Sequence, residues 1–439
     1  MDQQVRLQQL QREISRMRLS RRSAILRASA LGLGASAAAI LPRSTAVFAQ
    51  AKTQIRLGTW AAVEEAKELQ GVLDKVNAEA TDFEIISEPQ PSDYYTKLQT
   101  TIAGGTAPDL FWLSQEYVAG YASLGAALDL SDRLESDDTP AADLSDYFEP
   151  ILRTAQYEEK TYGLPWISQP VMLYYNPELF DAGGVAAPDE SWDWDTFKEA
   201  AGTLTDAQAG VYGTSFNGWP PVPMFMWQAG GDTISEDLSE CPIDSEEAIQ
   251  AAQFYADIIY NEKYAVPEAT IGEQGFAEMV KAGKVAMFYG GATDDLDVAA
   301  KKDPANAVIK MALVPTGPKG RTTFAWTAST VVNADSKNPD VAYQALVALT
   351  EGIHHWKIVA PRQSLATEET IAAVVPDKAE SAPIIVQALA DMRSFHVIPQ
   401  QAEWDQTFND EYLQPIFHQE ATAEELAPEV RPMLEDLLP

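Results

Sequence analysis

The 439-residue chain contains a single cysteine, Cys241, and only four histidines, all in its last 90 residues. One thiol cannot close an internal disulfide or build a cysteine-rich zinc or iron–sulfur site. Basic charge is also scarce: 31 Lys and Arg stand against 65 Asp and Glu, for a formal charge of −34. Phosphate backbones are bound through basic faces that release counterions, so nucleic acid is excluded as a partner. No HExxH, GxSxG or P-loop occurs, and no closely spaced Cys/His set, so neither a metal nor a cofactor is expected. Adjacent His354 and His355 cannot face one site from a helix and are expected on different sides. No apolar run reaches the roughly 18 residues of a membrane-spanning helix.

The charge is unevenly spread. Residues 1–51 hold eight Arg against Asp2 and Glu13, a balance of +6, which leaves −40 for the rest. Arg21-Arg22 precedes an Ala/Gly/Ser-rich stretch, Ala28 to Leu41, and then Ala49-Gln50-Ala51, which fits a small-x-small cleavage site. Residues 1–51 therefore read as a twin-arginine export signal. Ala24 is smaller than the apolar residue usual in such signals. The alternative is an amphipathic helix that stays attached. With no cysteine directly following the cleavage site a lipid anchor on a new N-terminal Cys is not expected, and the mature protein is placed outside the cytoplasm. Gly32-Leu33-Gly34-Ala35-Ser36-Ala37 matches a dinucleotide fingerprint formally, but Arg-rich sequence precedes it where a strand is required.

From Gln54 onward strand-like and helix-like stretches alternate: strands at 54–60, 83–86, 109–113, 171–176, 284–289, 311–314 and 329–333, and helices at 62–80, 94–103, 116–124, 196–203, 245–259 and 339–349. The last 80 or so residues read as helical, broken by Pro361, Pro383, Pro399, Pro415 and Pro432. Alternation of this kind implies α/β architecture with largely parallel sheet. Ligands then sit at the carboxyl ends of strands, here just after Leu57 and Leu113.

Four segments carry a family resemblance: Tyr95 to Asp109, Tyr162 to Phe180 (YGLPWISQPVMLYYNPELF), Phe276 to Gly291 (FAEMVKAGKVAMFYGG) and Val314 to Gly320 (VPTGPKG). In this order and spacing the chain resembles the extracellular sugar-binding subunits of ABC importers, of the maltose-binding-protein type, over most of residues 54–420. The resemblance implies two discontinuous α/β lobes, periplasmic binding protein-like, joined by hinge crossovers near 165–170, 325–328 and 360–364, with a ligand cleft between them. The lobes are expected at 52–165 with 328–360, and 166–327 with 361–439. It also implies a small-molecule sugar ligand, a membrane permease as partner, a monomer, and no enzyme activity.

A sugar offers an apolar face to aromatic rings and a rim of hydroxyls to carboxylates and amides. By position the candidates are Trp60 at the end of the first strand, Glu64 and Glu65 after it, and Gln115 and Glu116 past Leu113. Gln169 occupies a crossing segment where the family often has an acidic residue. Trp219, in Gly218-Trp219-Pro220-Pro221, is the preferred stacking platform, whereas Trp227 reads as helix core. Gly291, Thr293 and Asp294 follow, and here a tryptophan common in the family is missing. Trp326, Arg362 and Trp404 complete the set, Arg362 either bridging hydroxyls or pairing with a carboxylate across the hinge. Asp294, Asp295 and Asp297 read as a solvated acidic turn rather than a calcium loop, since no EF-hand pattern is present. Alternative functions are an exported glycan hydrolase using two carboxylates, or a receptor for polyols, glycerol phosphates or polyamines.

Overall fold

The computed structural model describes residues 52–215, 220–356 and 359–439. The export signal at 1–51, the glycine fingerprint within it and Trp219 lie outside the described residues. The chain divides into two units, Met1–Lys52 with Tyr95–Ala107, and Thr53–Tyr94 with Pro108–Pro439. In the first, the helix spanning Tyr94–Ala103 ends as expected at Gly104-Gly105, where Gly105 takes the left-handed φ of 67° and its N–H reaches Ile102 O at 3.1 Å. Everything below concerns the second unit.

Its N-terminal part contains β1 (Thr53–Thr59), α1 (Val63–Glu79), β2 (Phe83–Pro89), β3 (Leu110–Ser114) and α2 (Gln115–Ser123). β1 pairs in parallel with both β2 and β3. Leu69, Leu73 and Val76 of α1 are buried at i, i+4, i+7 spacing on the face that covers Ile55 and Leu57. Gly58 sits where a Cβ would come within 2.9 Å of Pro108, so β1 and the entry to β3 approach as closely as only glycine allows.

The long strand β4 (Gly163–Tyr175) follows, buried along all 13 residues. Beyond it come α3 (Trp194–Thr203), α4 (Val222–Ala229), α5 (Glu246–Ala256), β5 (Met287–Gly291), β6 (Lys310–Ala312), β7 (Thr323–Val332), α6 (Pro339–Ile353), β8 (Met392–Arg393), α7 (Gln401–Thr407) and α8 (Ala423–Glu435). Caps fix several helix starts: Asp193 accepts from Thr196 N, Ser245 from Ala248 N, and Thr422 forms a capping box with Glu425.

The main path of the sheet runs β2-β1-β3-β7-β4-β5, with β6 on β4 and β8 on β7. β4 and β7 are the strands that join its two ends. Gly163 to Pro170 pair antiparallel with β7, and from Val171 onward β4 pairs with β5 and β6 instead. The partner change falls at Pro170, which has no N–H to give a ladder, and the register slips between Pro165 and Ile167. Val359 to Gln363 runs alongside: Ser168 N donates to Val359 O at 3.1 Å and Phe148 N to Pro361 O at 3.0 Å. All three expected crossing segments therefore meet at one place.

Most expected elements lie within a few residues of their observed bounds. The strand expected at 284–289 is Met287–Gly291, because Lys284 and Val285 make only isolated contacts with Tyr212. The two short strands expected at 171–176 and 329–333 are the ends of the much longer β4 and β7. Neither Pro165 nor Pro170 ends β4, since the bulge and the change of partner absorb them. Trp227 is core, as expected from its helical position.

Candidate ligand-binding site

β1 delivers Trp60 to the point where β4 and β7 cross. Its ring lies 5.2 Å from Trp112, 5.5 Å from Tyr94, 6.3 Å from Trp166 and 6.4 Å from Trp326. Trp112 and Trp166 are buried 4.5 Å apart, whereas Trp60 and Trp326 keep part of their surface exposed. The outer two rings are thus backed by a rigid aromatic wall, and Tyr94 pins it by donating to Gly58 O and Trp112 O. Trp326 is paired in register with Gln169, which the strand pleat leaves 8% exposed.

Gln169 reaches the turn after β5. Its Nε2 lies 3.5 Å from Asp294 Oδ1, and Asp294 Oδ2 accepts from Gly291 N at 2.9 Å. A Cβ on Gly291 would fall 1.5 Å from Gln169 Nε2, so glycine is required for this contact. The turn is held from behind by Lys378, fully buried, which donates to Ala292 O and Asp294 O and pairs with Asp297 at 3.0 Å. Asp294 and Asp297 are therefore held in a loop locked onto a buried lysine, whereas Asp295 stays exposed beside Lys302, so the run is only in part a solvated turn. Among the described residues no His/Cys/Asp/Glu group has the form of a metal site. Burial raises the Asp294 carboxyl despite its bond from Gly291 and the Lys378 charge.

Among the described residues, two spaces can be set beside this junction. One, of about 1450 Å³, is a wide groove along α1 and α6 and brings Glu65 together with Thr293, along with Glu68, Lys302 and Trp356. Glu64 is exposed in the first turn of α1, 3.7 Å from Lys67. The other, of about 300 Å³, contains Glu116, Gln401, Trp404, Asp405, Phe408 and Pro221 on its lining. The smaller space has the chemistry of a binding pocket, with aromatic walls and few but ionisable polar groups. The larger one is mostly helix surface.

Glu116 begins α2, where Ser114 Oγ donates to its Oε2. Burial raises its carboxyl, and the bond from Ser114 only partly offsets that. Asp405, on α7, accepts from Gln401 Nε2 at 2.8 Å, and burial followed by the Glu116 charge pushes it up to about 7. Gln115 is 1% exposed, and neither atom of its amide has a partner in the protein. Trp404 is 2% exposed and stacks on Phe408 at 5.0 Å, with its indole N–H unpartnered.

Arg362 stands apart from both spaces. It is 5% exposed, with Nε 2.9 Å from Asp146 and Nη1 2.9 Å from Glu351. Of its two expected roles, the structure shows pairing with carboxylates at the third crossing segment. His354 is buried against Pro165 O at 3.0 Å and burial lowers it to about 3, while His355 on the other side is exposed.

Sequence reasoning did not pick out Trp112, Trp166, Lys378 or Asp405. A signal existed for Asp405: Gln401 and Asp405 are i, i+4 on one helix with Trp404 between them. The buried lysine had no signal, because lysine is ordinarily solvated.

The bacterial extracellular solute-binding protein family model matches residues 60–351, and the chain belongs to that family. Over 88% of its length it superposes on an ABC substrate-binding protein from Listeria monocytogenes in complex with cycloalternan, TM-score 0.75, 24% identity, covering 99% of that chain. A solute-binding protein from Thermotoga lettingae bound with alpha-D-tagatose superposes at TM-score 0.72 with 21% identity, over 88% of this chain and 100% of that one. These likenesses establish the fold, the mixed α/β fold of periplasmic-binding-protein-like solute-binding proteins. An erythritol/L-threitol-binding protein of Mycolicibacterium smegmatis is 26% identical over 73% of this chain and 75% of its own. A protein of Brucella abortus that carries a binding-protein name is 26% identical over 57% of this chain, which spans 60% of that relative. The family and these neighbours are binding proteins. Among the described residues no helix is long and apolar enough to cross a membrane.

Proposed function

We propose that the chain is an exported receptor that captures a carbohydrate and delivers it to the membrane permease of an ABC importer, as a monomer and without chemistry of its own. Residues 1–51 are its twin-arginine signal. The lobes are 52–165 with 328–360, and 166–327 with 361–439, meeting at β4 and β7. The observation that carries the reading is the junction of these strands, where the part-exposed rings of Trp60 and Trp326 adjoin the Gln169 amide and the Asp294 carboxyl. Rings for a pyranose face and directional polar groups for its hydroxyls thus come together on both sides of a hinge. A ligand that touches both sides favours the closed arrangement by the difference in its contacts with the two states. Glu64, Glu65, Gln115, Glu116, Gly291, Thr293, Trp219 and Trp404 belong to the proposed contact set, and Arg362 holds the third crossing segment.

The carbohydrate names of the neighbours, and the polyol name of the Mycolicibacterium relative, support this substrate class. The test is a thermal-shift screen of residues 52–439 against oligosaccharides, monosaccharides, polyols and glycerol phosphates. A ligand at about 1,000 times its Kd stabilises by about 4 kcal/mol, an easily read rise in Tm. A response confined to polyols or phosphates would overturn the sugar assignment and leave the receptor role. Hydrolysis of a chromogenic glycoside, lost in Glu116→Gln, would overturn the receptor role itself.

A further inference from the structure

We infer that Lys378 and Tyr174 are positioning residues for the ligand: from beneath the turn after β5 they fix its backbone so that the Thr293 N–H, next to the Asp294 carboxyl, is presented as a further hydrogen-bond donor to a hydroxyl oxygen. This rests on the carbohydrate reading above. Both side chains are buried, Lys378 at 1% exposure and Tyr174 at 0%, so neither is itself offered to a ligand. Lys378 donates to Ala292 O at 2.9 Å and to Asp294 O, and pairs with Asp297 at 3.0 Å. Tyr174 stacks on Phe288, 4.9 Å away, and its hydroxyl donates to Gly291 O at 2.7 Å. Three carbonyls of one turn are thus drawn inward by two side chains.

The direction matters because a trans peptide points its C=O and its N–H to opposite sides. With Ala292 O held on the buried ammonium, the N–H of the same peptide unit, which belongs to Thr293, is turned away from it. The neighbouring N–H groups are already used: Gly291 N donates to Asp294 Oδ2, Ala292 N to Pro170 O at 2.9 Å, and Asp294 N to Gly291 O at 2.9 Å. Among the described residues the Thr293 N–H has no such partner, and Thr293 is part-exposed on the wide groove that Glu65 also lines. A sugar hydroxyl both donates and accepts, so an N–H beside a carboxylate oxygen is a pair that two neighbouring hydroxyls satisfy together.

Stability alone does not account for the lysine. Burial works against its ammonium and the charge of Asp297 supports it. Taking such a pair out of water is costly, and apolar side chains of similar volume commonly hold a fold as well. What an apolar pair lacks is direction. It would fill the space behind the turn but leave Ala292 O and Asp294 O without donors, and the peptide units free to rotate toward other partners. The lysine therefore serves the orientation of this turn, and the side of the turn away from it is where Thr293 and Asp294 meet a ligand.

The test removes the directed donors without stranding a charge. One variant combines Lys378→Met with Asp297→Asn, where the new amide still accepts the 3.2 Å bond from Ser381 Oγ. The other is Tyr174→Phe, which keeps the ring and loses the hydroxyl. The full chain is titrated calorimetrically with maltose, cellobiose, glucose, D-tagatose and erythritol, and the probe that the parent binds most tightly is compared across variants. The expected result is binding about tenfold weaker in the paired variant and about threefold weaker in Tyr174→Phe, with each Tm within about 5 °C of the parent. In an Asp294→Ala background the further loss from the paired substitution is expected to shrink below about threefold, because both act on one turn. Unchanged affinity in both variants would overturn the inference and leave the carbohydrate reading standing. A loss that simply multiplies with that of Asp294→Ala would also overturn it, since the lysine would then act elsewhere than on this turn. Should the paired variant not melt cooperatively, Tyr174→Phe carries both results. A parent that binds none of these probes would overturn the inference, while the wider screen above decides the carbohydrate reading.

Discussion

Asp405→Asn is expected to stabilise the unliganded protein, and to do so only where the carboxyl would be ionised. In the folded chain the group rises from its ordinary 3.8 to about 7, first through burial and then through the charge of Glu116, while Gln401 pulls the other way. Below about pH 3.8 it is neutral whether folded or unfolded and costs nothing. As the pH climbs through 3.8 the unfolded chain loses its proton first, so stability falls, and the penalty is complete above about pH 7. At 1.36 kcal/mol per pH unit the full penalty is about 4 kcal/mol. Asparagine keeps an oxygen to accept from Gln401 and carries no charge. Urea unfolding is expected to show the variant more stable than the parent by up to about 4 kcal/mol near pH 8, shrinking to about 1 kcal/mol near pH 4.5. Because Glu116 and Tyr117 face the same group, the gain is expected to be smaller when Glu116 is already Gln. A variant no more stable than the parent near pH 8 would refute the claim that the Asp405 charge is buried and unrelieved.

Lys378→Met leaves Asp297 buried without its partner and releases the bonds to Ala292 O and Asp294 O; a loss of about 3–5 kcal/mol by denaturant unfolding is expected. Gly291→Ala drives a methyl into the Gln169 amide, and is expected to cost about 1–3 kcal/mol in stability and to weaken ligand binding in calorimetry. Arg362→Ala is expected to lower Tm by unpairing Asp146 and Glu351, by more at neutral pH than near pH 3. Asp146 is held low, with burial opposed by Ser364 and Arg362, so its contribution is lost as protonation sets in. Trp219→Ala is expected to weaken ligand binding at least about tenfold, or about 1.4 kcal/mol, with Tm unchanged.

The elements of the fold were legible because their periodicities are strong and local. Val63 to Glu79 repeats its apolar residues at helical spacing, and the caps at Asp193 and Ser245 mark helix starts in the sequence itself. The length of β4 was not legible. A run containing Pro165 and Pro170 reads as broken, and only the exchange of partners from β7 to β5 and β6 explains how one strand continues through both prolines. The meeting of the crossing segments came from family resemblance, since residues 165, 326 and 361 share no local pattern.

The candidate site was legible in part for a different reason. Trp60 could be named because it follows the first strand, at the carboxyl end of which α/β sheets bind ligands, whereas Gln169, Trp326 and Asp294 came from the segments of the family resemblance. What sequence does not encode locally is which charges share a cavity. Glu116 and Asp405 are 289 positions apart, and each taken alone resembles one of the 65 acidic residues that mostly serve solubility. Their energetic character arises only when α2 and α7 exclude water from both at once. The same holds for Lys378 and Asp297, but with opposite outcome: there burial brings unlike charges together and fixes a loop. Like charges brought together out of water store a penalty instead, and Asp405 shows it as a carboxyl pushed up to about 7 by burial and then by the Glu116 charge.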